Sequence, residues 1–143
     1  MIDGIQGLYD KIYQELKTYL LGTSIYEPSI YKKEVENKKF PKVIVKQLPR
    51  DSYFTTLKYG DEIFNFGLEI NVYAIQDGDL ASATIADEIT RHIETFFKDV
   101  YRMSVNVSLD IPNADTSVYR NLVQSRCKVD TKFKDKLVIY PIN

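Results

Sequence analysis

His92 and Cys127 are the only histidine and the only cysteine of the 143-residue chain, so any imidazole or thiolate chemistry rests on one residue of each kind. A zinc-type site needs several such ligands converging, and His92 has neither a second histidine nor a cysteine to share a metal with. A solvent-facing structural role is therefore expected of it. Cys127 lies mid-strand without a nearby basic partner in sequence, which predicts a buried or half-buried, inert thiol rather than a nucleophile. Asp87 and Glu88 are adjacent, point to different sides of a helix and cannot act as a paired acid and base. The DGD turn at 77–79 is too short for a calcium loop, and GDLASAT has no glycine series to cradle a phosphate. These residues predict no active site, no metal and no cofactor.

Eleven tyrosines and seven phenylalanines with no tryptophan point elsewhere. Tyr53, Phe54, Leu57 and Tyr59 crowd the stretch RDSYFTTLKYGD, which reads as a hairpin loop, and loop aromatics are enriched at protein interfaces. The alternative is that they fold back onto a sheet. Arg50 and Lys58 beside them would also suit stacking of single-stranded nucleic acid. A net charge of −1 weighs against that, as does the polar rather than basic second face of the clearest strand. Charge is nevertheless uneven. Residues 32–50 hold seven bases, among them Lys38, Lys39, Lys42, Lys46 and Arg50, against Glu34 and Glu36, a net +5. Residues 61–99 hold nine acids against Arg91 and Lys98, a net −7. Opposite segments of this kind suit head-to-tail self-association, or simply form two solvated faces.

The elements that would position these residues follow from periodicity. Ile2, Ile5, Leu8, Ile12, Leu16, Tyr19 and Leu20 recur every three or four residues, which predicts an amphipathic helix over about 3–20 that stops near Gly22. The stretch 23–40 reads as a loop or a short, charge-protected edge strand. KVIVKQL, bounded by Pro41 and Pro49, reads as a strand. Phe64, Phe66, Leu68, Ile70, Val72 and Ala74 alternate with Asn65, Gly67, Glu69, Asn71 and Tyr73, so the apolar set lies on one face and the polar set on the other. Asp79 would cap a second helix over about 80–98, with Ile85, Ile89, Ile93, Phe96 and Val100 as its buried stripe. Met103, Val105, Val107, Leu109 and Ile111 alternate again, and NLVQSRCKVDTKFKDKLVIY reads as two strands around a turn near Lys134 and Asp135.

The expected fold is thus α+β, with a mainly antiparallel sheet flanked by two helices in a single domain over 1–143. Its length suffices for a core without staples, and 44% apolar with 27% charged residues fits an ordinary soluble globular protein. No apolar run is long enough to cross a bilayer, and Asp3 and Asp10 stand where a leader peptide would be basic and then apolar. A cytoplasmic protein without membrane contact is the expectation.

From Ile63 onward the chain resembles the phage tail terminator, or tail completion, proteins of Gram-positive phages and phage tail-like particles. The resemblance is carried by NFGLEINVYA, by DGDLASATIADEITRHIETFF and by IPNADTSVYRNLVQSRCKVDT, where Pro112, Asp115, Tyr119 and Arg120 sit in a similar loop-to-strand pattern. The order of an N-terminal helix followed by strands is also similar. The stretch from Thr23 to Asp61 matches only in placement.

The resemblance implies a structural protein that forms a ring, typically of six subunits, on the last ring of a tail tube. Such a ring stops polymerisation and offers a surface to the head-tail connector, and DNA only passes through its lumen. It would assemble in a bacterial host's cytoplasm and remain at the head-proximal end of the tail. A head-closure or other minor connector component is the alternative within that class. On this reading Lys38, Lys39, Lys42, Lys46, Arg50, Tyr53, Phe54, Leu57, Tyr59, Glu69, Asn71 and Tyr73 are the expected contacts with neighbouring subunits or the tube.

Overall fold

Phe66, Leu68, Ile70, Val72 and Ala74 are all buried, as a period-two pattern requires of a strand with one face on a core. They lie on the longest strand of a computed structural model that describes residues 4–33, 39–48, 51–56, 61–130 and 138–141, with side chains described over 7–33, 39–48 and 66–129. In chain order the elements are α1 (Gly4–Thr23), β1 (Ser29–Tyr31), β2 (Lys42–Gln47), β3 (Asp51–Thr56), β4 (Asp61–Ala74), α2 (Ser82–Thr95), β5 (Ser104–Ser108), β6 (Tyr119–Asp130) and β7 (Val138–Pro141). All seven strands form one sheet in an α+β fold, and every pairing is antiparallel except β1 with β2.

The sheet is built around β4 and β6, which pair without a break from Ile63 opposite Asp130 to Ala74 opposite Tyr119. Two strands in succession run along the outer side of each. On β4, β2 covers Leu68–Tyr73 and β3 covers Asp61–Asn65. On β6, β5 covers Leu122–Arg126 and β7 covers Cys127–Asp130. Residues directly opposite in antiparallel strands share a face. One face therefore carries Val43, Val45, Phe66, Leu68, Ile70, Val72, Val123, Cys127 and Val129, which are all buried in a single cluster with both helices.

Helix α1 contributes Leu8, Ile12, Leu16 and Leu20 to that cluster, the stripe its spacing predicts. It also contributes two tyrosines. Tyr9 Oη donates to the Val45 carbonyl at 2.7 Å and Tyr13 Oη to the Ile30 carbonyl at 2.9 Å, so buried strand carbonyls gain partners from the helix. Lys32 lies over both rings, 5.3 and 5.0 Å from their centroids, and pairs with Asp10 at 2.6 Å. Part of the tyrosine content is therefore core.

Several expectations are corrected. Helix α1 runs through Gly22 to Thr23 and ends where the Ser24 N–H bonds the Leu20 carbonyl. Asp79 caps nothing. It sits exposed in the turn joined by the Asp77–Leu80 bridge, where Gly78 takes φ +58, and Ala81 precedes α2 with no side-chain cap. Helix α2 ends at Thr95 and continues as a π turn over Phe96–Val100. Its i→i+5 bonding fits an extra residue into the turn and shifts the phase of the stripe. Phe96 and Phe97 are both buried as a result, and Val100 is 55% exposed. The alternation after Met103 stops at Ser108, so Leu109 is also exposed rather than core. Residues 51–56, expected in a loop, form β3, with a register shift between Ser52 and Phe54. Ser29–Tyr31 forms a short edge strand, one of the two forms expected within 23–40. Between β6 and β7 the expected turn, with Lys134 and Asp135, lies outside the described residues.

Candidate functional site

The sheet face opposite the helices carries the other half of every alternation. From β2 come Lys42, Ile44 and Lys46, from β4 Gly67, Glu69, Asn71 and Tyr73, and from β6 Arg120, Leu122, Gln124, Arg126 and Lys128. Lys42, Tyr73 and Arg120 form one cross-strand row. Tyr73 is its centre, with the Lys42 ammonium 5.4 Å and the Arg120 guanidinium 5.8 Å from its ring centroid, and Lys42 also lies 5.0 Å from the Phe40 ring. Arg120 Nε donates to Asn71 Oδ1 at 2.8 Å. Asn71 and Ile44, opposite one another in the next row, are buried, although both described helices pack on the other face. Gly67 admits the Leu48 side chain over β4, because a Cβ there would come within 3.0 Å of Leu48 Cδ1.

The charge of this face could not be read from β4 alone. Its described charged side chains are Lys42, Lys46, Arg120, Arg126 and Lys128 with Glu69, and the register places Asp51 and Asp61 on the same face. Of the expected contact residues, Lys42, Lys46, Glu69, Asn71 and Tyr73 come together here. Asn71 does so as a buried acceptor rather than an exposed contact. Lys39 is exposed in the approach to β2. Tyr53 and Phe54 are on β3, and Lys38, Arg50, Leu57 and Tyr59 lie outside the described residues. Arg120, Arg126 and Lys128 were missing from the expected set, although their even positions in β6 mark them as one face once that strand is drawn.

Groups that could do chemistry are tied into packing instead. His92 is half-buried rather than solvent-facing, and its Nε2 lies 2.8 Å from Glu88 Oε1. Ser24 Oγ donates to Glu88 Oε2 at 2.9 Å. The carboxylate stands between hydroxyl and imidazole, so the histidine does not contact the serine as a base must to activate it. Asp87 faces another way and accepts from Asn121 Nδ2 at 2.8 Å. Tyr101 Oη donates to the Glu15 carboxylate, and the phenol pKa is raised by burial first and by that bond second. Asp115 accepts from the Ser117 hydroxyl at 2.6 Å and from its N–H at 3.0 Å, which lowers its pKa. Among the described residues no three histidine, cysteine or carboxylate side chains are grouped to hold a metal ion, and no helix is long and apolar enough to cross a membrane.

Cys127 is fully buried on the helix side, whereas its neighbours Arg126 and Lys128 point to the opposite face. Burial pushes its thiol up to about 12. Burial, with Tyr13 and Asp10 nearby, pushes the Tyr9 phenol up to about 12 as well. Both groups hold their proton more tightly folded than unfolded. Their stabilisation is complete below the ordinary values, 9.0 for the thiol and 10.0 for the phenol, and is lost as pH rises toward about 12. Thermal melts should therefore be flat up to about pH 9 and fall steadily above it. Cys127→Ala should delay the onset by about one pH unit, and an unchanged onset would show that the thiol does not contribute.

No protein-family model matches the chain, and no curated protein matches it.

Proposed function

We propose that the chain is an assembly protin of the tail-terminator kind: a ring-forming subunit that caps a phage-type tail tube, halts its growth and offers a joining surface to the head connector. The observation that carries this reading is the unbroken β4–β6 pair, with both helices on one face and a charged, polar set of side chains on the other. A stiff, preorganised surface loses less entropy on association, an advantage when small subunits must close a ring. The similarity of NFGLEINVYA, of the α2 segment and of the loop into β6 to that family adds support. Nothing among the described side chains supplies a nucleophile with its base. Tyr53, Phe54 and Tyr59 stay within the reading as contacts to the tube or to a neighbour.

The test is to add the purified protein to polymerising tube subunits from the same genome and measure tube lengths by negative-stain microscopy. Capped tubes of uniform length that then accept heads are expected. Tubes that grow as if nothing had been added would reject the reading. A head-closure component would leave tube length alone and still bind the connector. The lysines and arginines of the sheet face also favour a second reading, nucleic-acid binding, in which affinity for single or double strands falls steeply with salt.

A further inference from the structure

Outer strands of a sheet offer unpaired N–H and C=O groups to other chains, and folded proteins guard them with short length, proline, bulges or charge. Three of the four outer strands here are guarded. β1 is three residues long between Pro28 and Lys32, β3 carries a register shift and opens on Asp51, and β7 is four residues long and ends on Pro141. Beyond β1, the Val45 carbonyl of β2 is taken by Tyr9 Oη. β5 has none of these devices. Its sequence, SVNVS, contains no charge and no proline, pairs with β6 in unbroken register and has no second strand beside it among the described residues. Val105 and Val107 pack against the core cluster but are only half-buried, so the apolar layer stays partly open at this edge.

We infer that β5 pairs with β5 of a second copy of this chain, antiparallel about a two-fold axis at Asn106. The strand reads the same in both directions. An antiparallel partner centred on Asn106 therefore sets Ser104 opposite Ser108, Val105 opposite Val107 and Asn106 opposite itself. The valines of the two copies then meet on the helix side and extend the apolar layer from one subunit into the other. The flanks fit as well. Arg102 and Asp110 are both exposed, with no ion-pair partner among the described residues, and the same axis brings Arg102 of each copy toward Asp110 of the other. A foreign strand would need neither the palindrome nor this exchange of charge. Five residues make a small interface of the transient class, so the dimer parts on dilution. A two-fold contact closes at two copies and is distinct from the contacts that would close a ring, so the inference does not rest on the ring reading.

Sedimentation of the isolated protein between about 1 μM and 1 mM should show a monomer–dimer equilibrium. Asn106→Lys, at an exposed site, sets two ammonium groups together on the axis and should weaken the dimer at least about tenfold. Arg102→Asp should weaken it by a smaller factor, and Arg102→Asp with Asp110→Arg, which exchanges the charges, should restore it. Cross-linking reads the register. Facing residues have Cβ atoms about 4.5–5.5 Å apart, close enough for a disulfide, so Asn106→Cys should link to itself under mild oxidation. Ser104→Cys should not, because its own counterpart lies four residues along the partner strand, about 13 Å away. Mixed with Ser108→Cys, it should link to that variant. Cys127 is fully buried and does not compete. The charge exchange and the link at Asn106 alter only exposed side chains, so they decide the matter even if Asn106→Lys disturbs β5. A protein that is monomeric throughout would overturn the inference, as would Ser104→Cys linking to itself as readily as Asn106→Cys. A dimer indifferent to the Arg102 and Asp110 changes would place the contact elsewhere and overturn it too. Open-ended assemblies, rather than dimers, would mean that β5 meets a different edge, and the two-fold contact would be rejected.

Discussion

Ile70→Asp should destabilise the chain by at least about 4 kcal/mol at 25 °C and neutral pH. Ile70 is fully buried at the middle of β4, between Val45 on β2 and Val123 on β6, and all three belong to the cluster beneath the helices. Burying an isoleucine side chain stabilises by about 1.5–3 kcal/mol, and that contribution disappears. The carboxylate that replaces it has no partner across either strand and must be desolvated or protonated, which brings the expected loss to at least about 4 kcal/mol. Domains of this kind are stable by about 5–15 kcal/mol in total, so the loss takes at least about a quarter of the margin and most of it at the lower end.

The sign with pH follows. The buried aspartate would have its folded pKa raised above the unfolded value, so the variant is least unstable below about pH 4 and loses ground as pH rises. Ile70→Val is the control, with an expected loss of about 0.5–1.5 kcal/mol. Chemical denaturation of all three proteins at pH 4 and pH 7 decides the matter. An aspartate variant as stable as the parent would mean that β4 faces the other way.

The legible parts of this fold are those in which one element's burial is decided by its own period. The α1 stripe at Leu8, Ile12, Leu16 and Leu20 and the β4 set from Phe66 to Ala74 both turn one side to the core, and composition along a single segment is enough to place them. Residues 51–56 read DSYFTT, with no apolar alternation. Their strand state comes from pairing with β4, a non-local fact. The π turn after Thr95 has no signature in FFKDV, and it moved Val100 from the expected stripe to solvent.

The candidate surface was half legible for the same reason. Glu69, Asn71 and Tyr73 follow from β4's own alternation. Its charge comes from β2 and β6, which flank β4 in the sheet and lie about 25 and 50 residues from it in sequence. The +5 segment at 32–50 was a run along the chain, whereas the bases of this face form a pattern across strands. Only Lys42 and Lys46 of that run are described on it.

Asn121→Asp should be the second severe change, and it is one that the strand's phase could have flagged. Asn121 is in register with Val123, Cys127 and Val129, so it points into the core, where it is fully buried. Its Nδ2 donates to Asp87 Oδ1 at 2.8 Å and to Thr90 Oγ1 at 2.9 Å, and its Oδ1 accepts the Asp110 N–H at 3.0 Å. One amide thus joins β6 to α2 and to the turn after β5, where Asp110 holds φ +54. The chemistry is specific, because the amide gives two donor hydrogens, taken by Asp87 and Thr90, and an acceptor oxygen, taken by the Asp110 N–H. An aspartate keeps the shape and the acceptor but loses the donor, and sets a second negative charge against Asp87. Removing one partner from a buried hydrogen bond costs about 1–3 kcal/mol, and a like charge at contact distance adds to it, so about 3 kcal/mol or more is expected at pH 7. Asn121→Ala, with no new charge, should lose less. The introduced carboxylate, buried beside a like charge, would have its pKa raised, so acid should narrow the gap between Asp and Ala variants as pH falls through about 6 to 4. Equal melting temperatures for the two variants at pH 7 would show that Asp87 does not feel position 121, and a gap that widens in acid would reverse the electrostatic account.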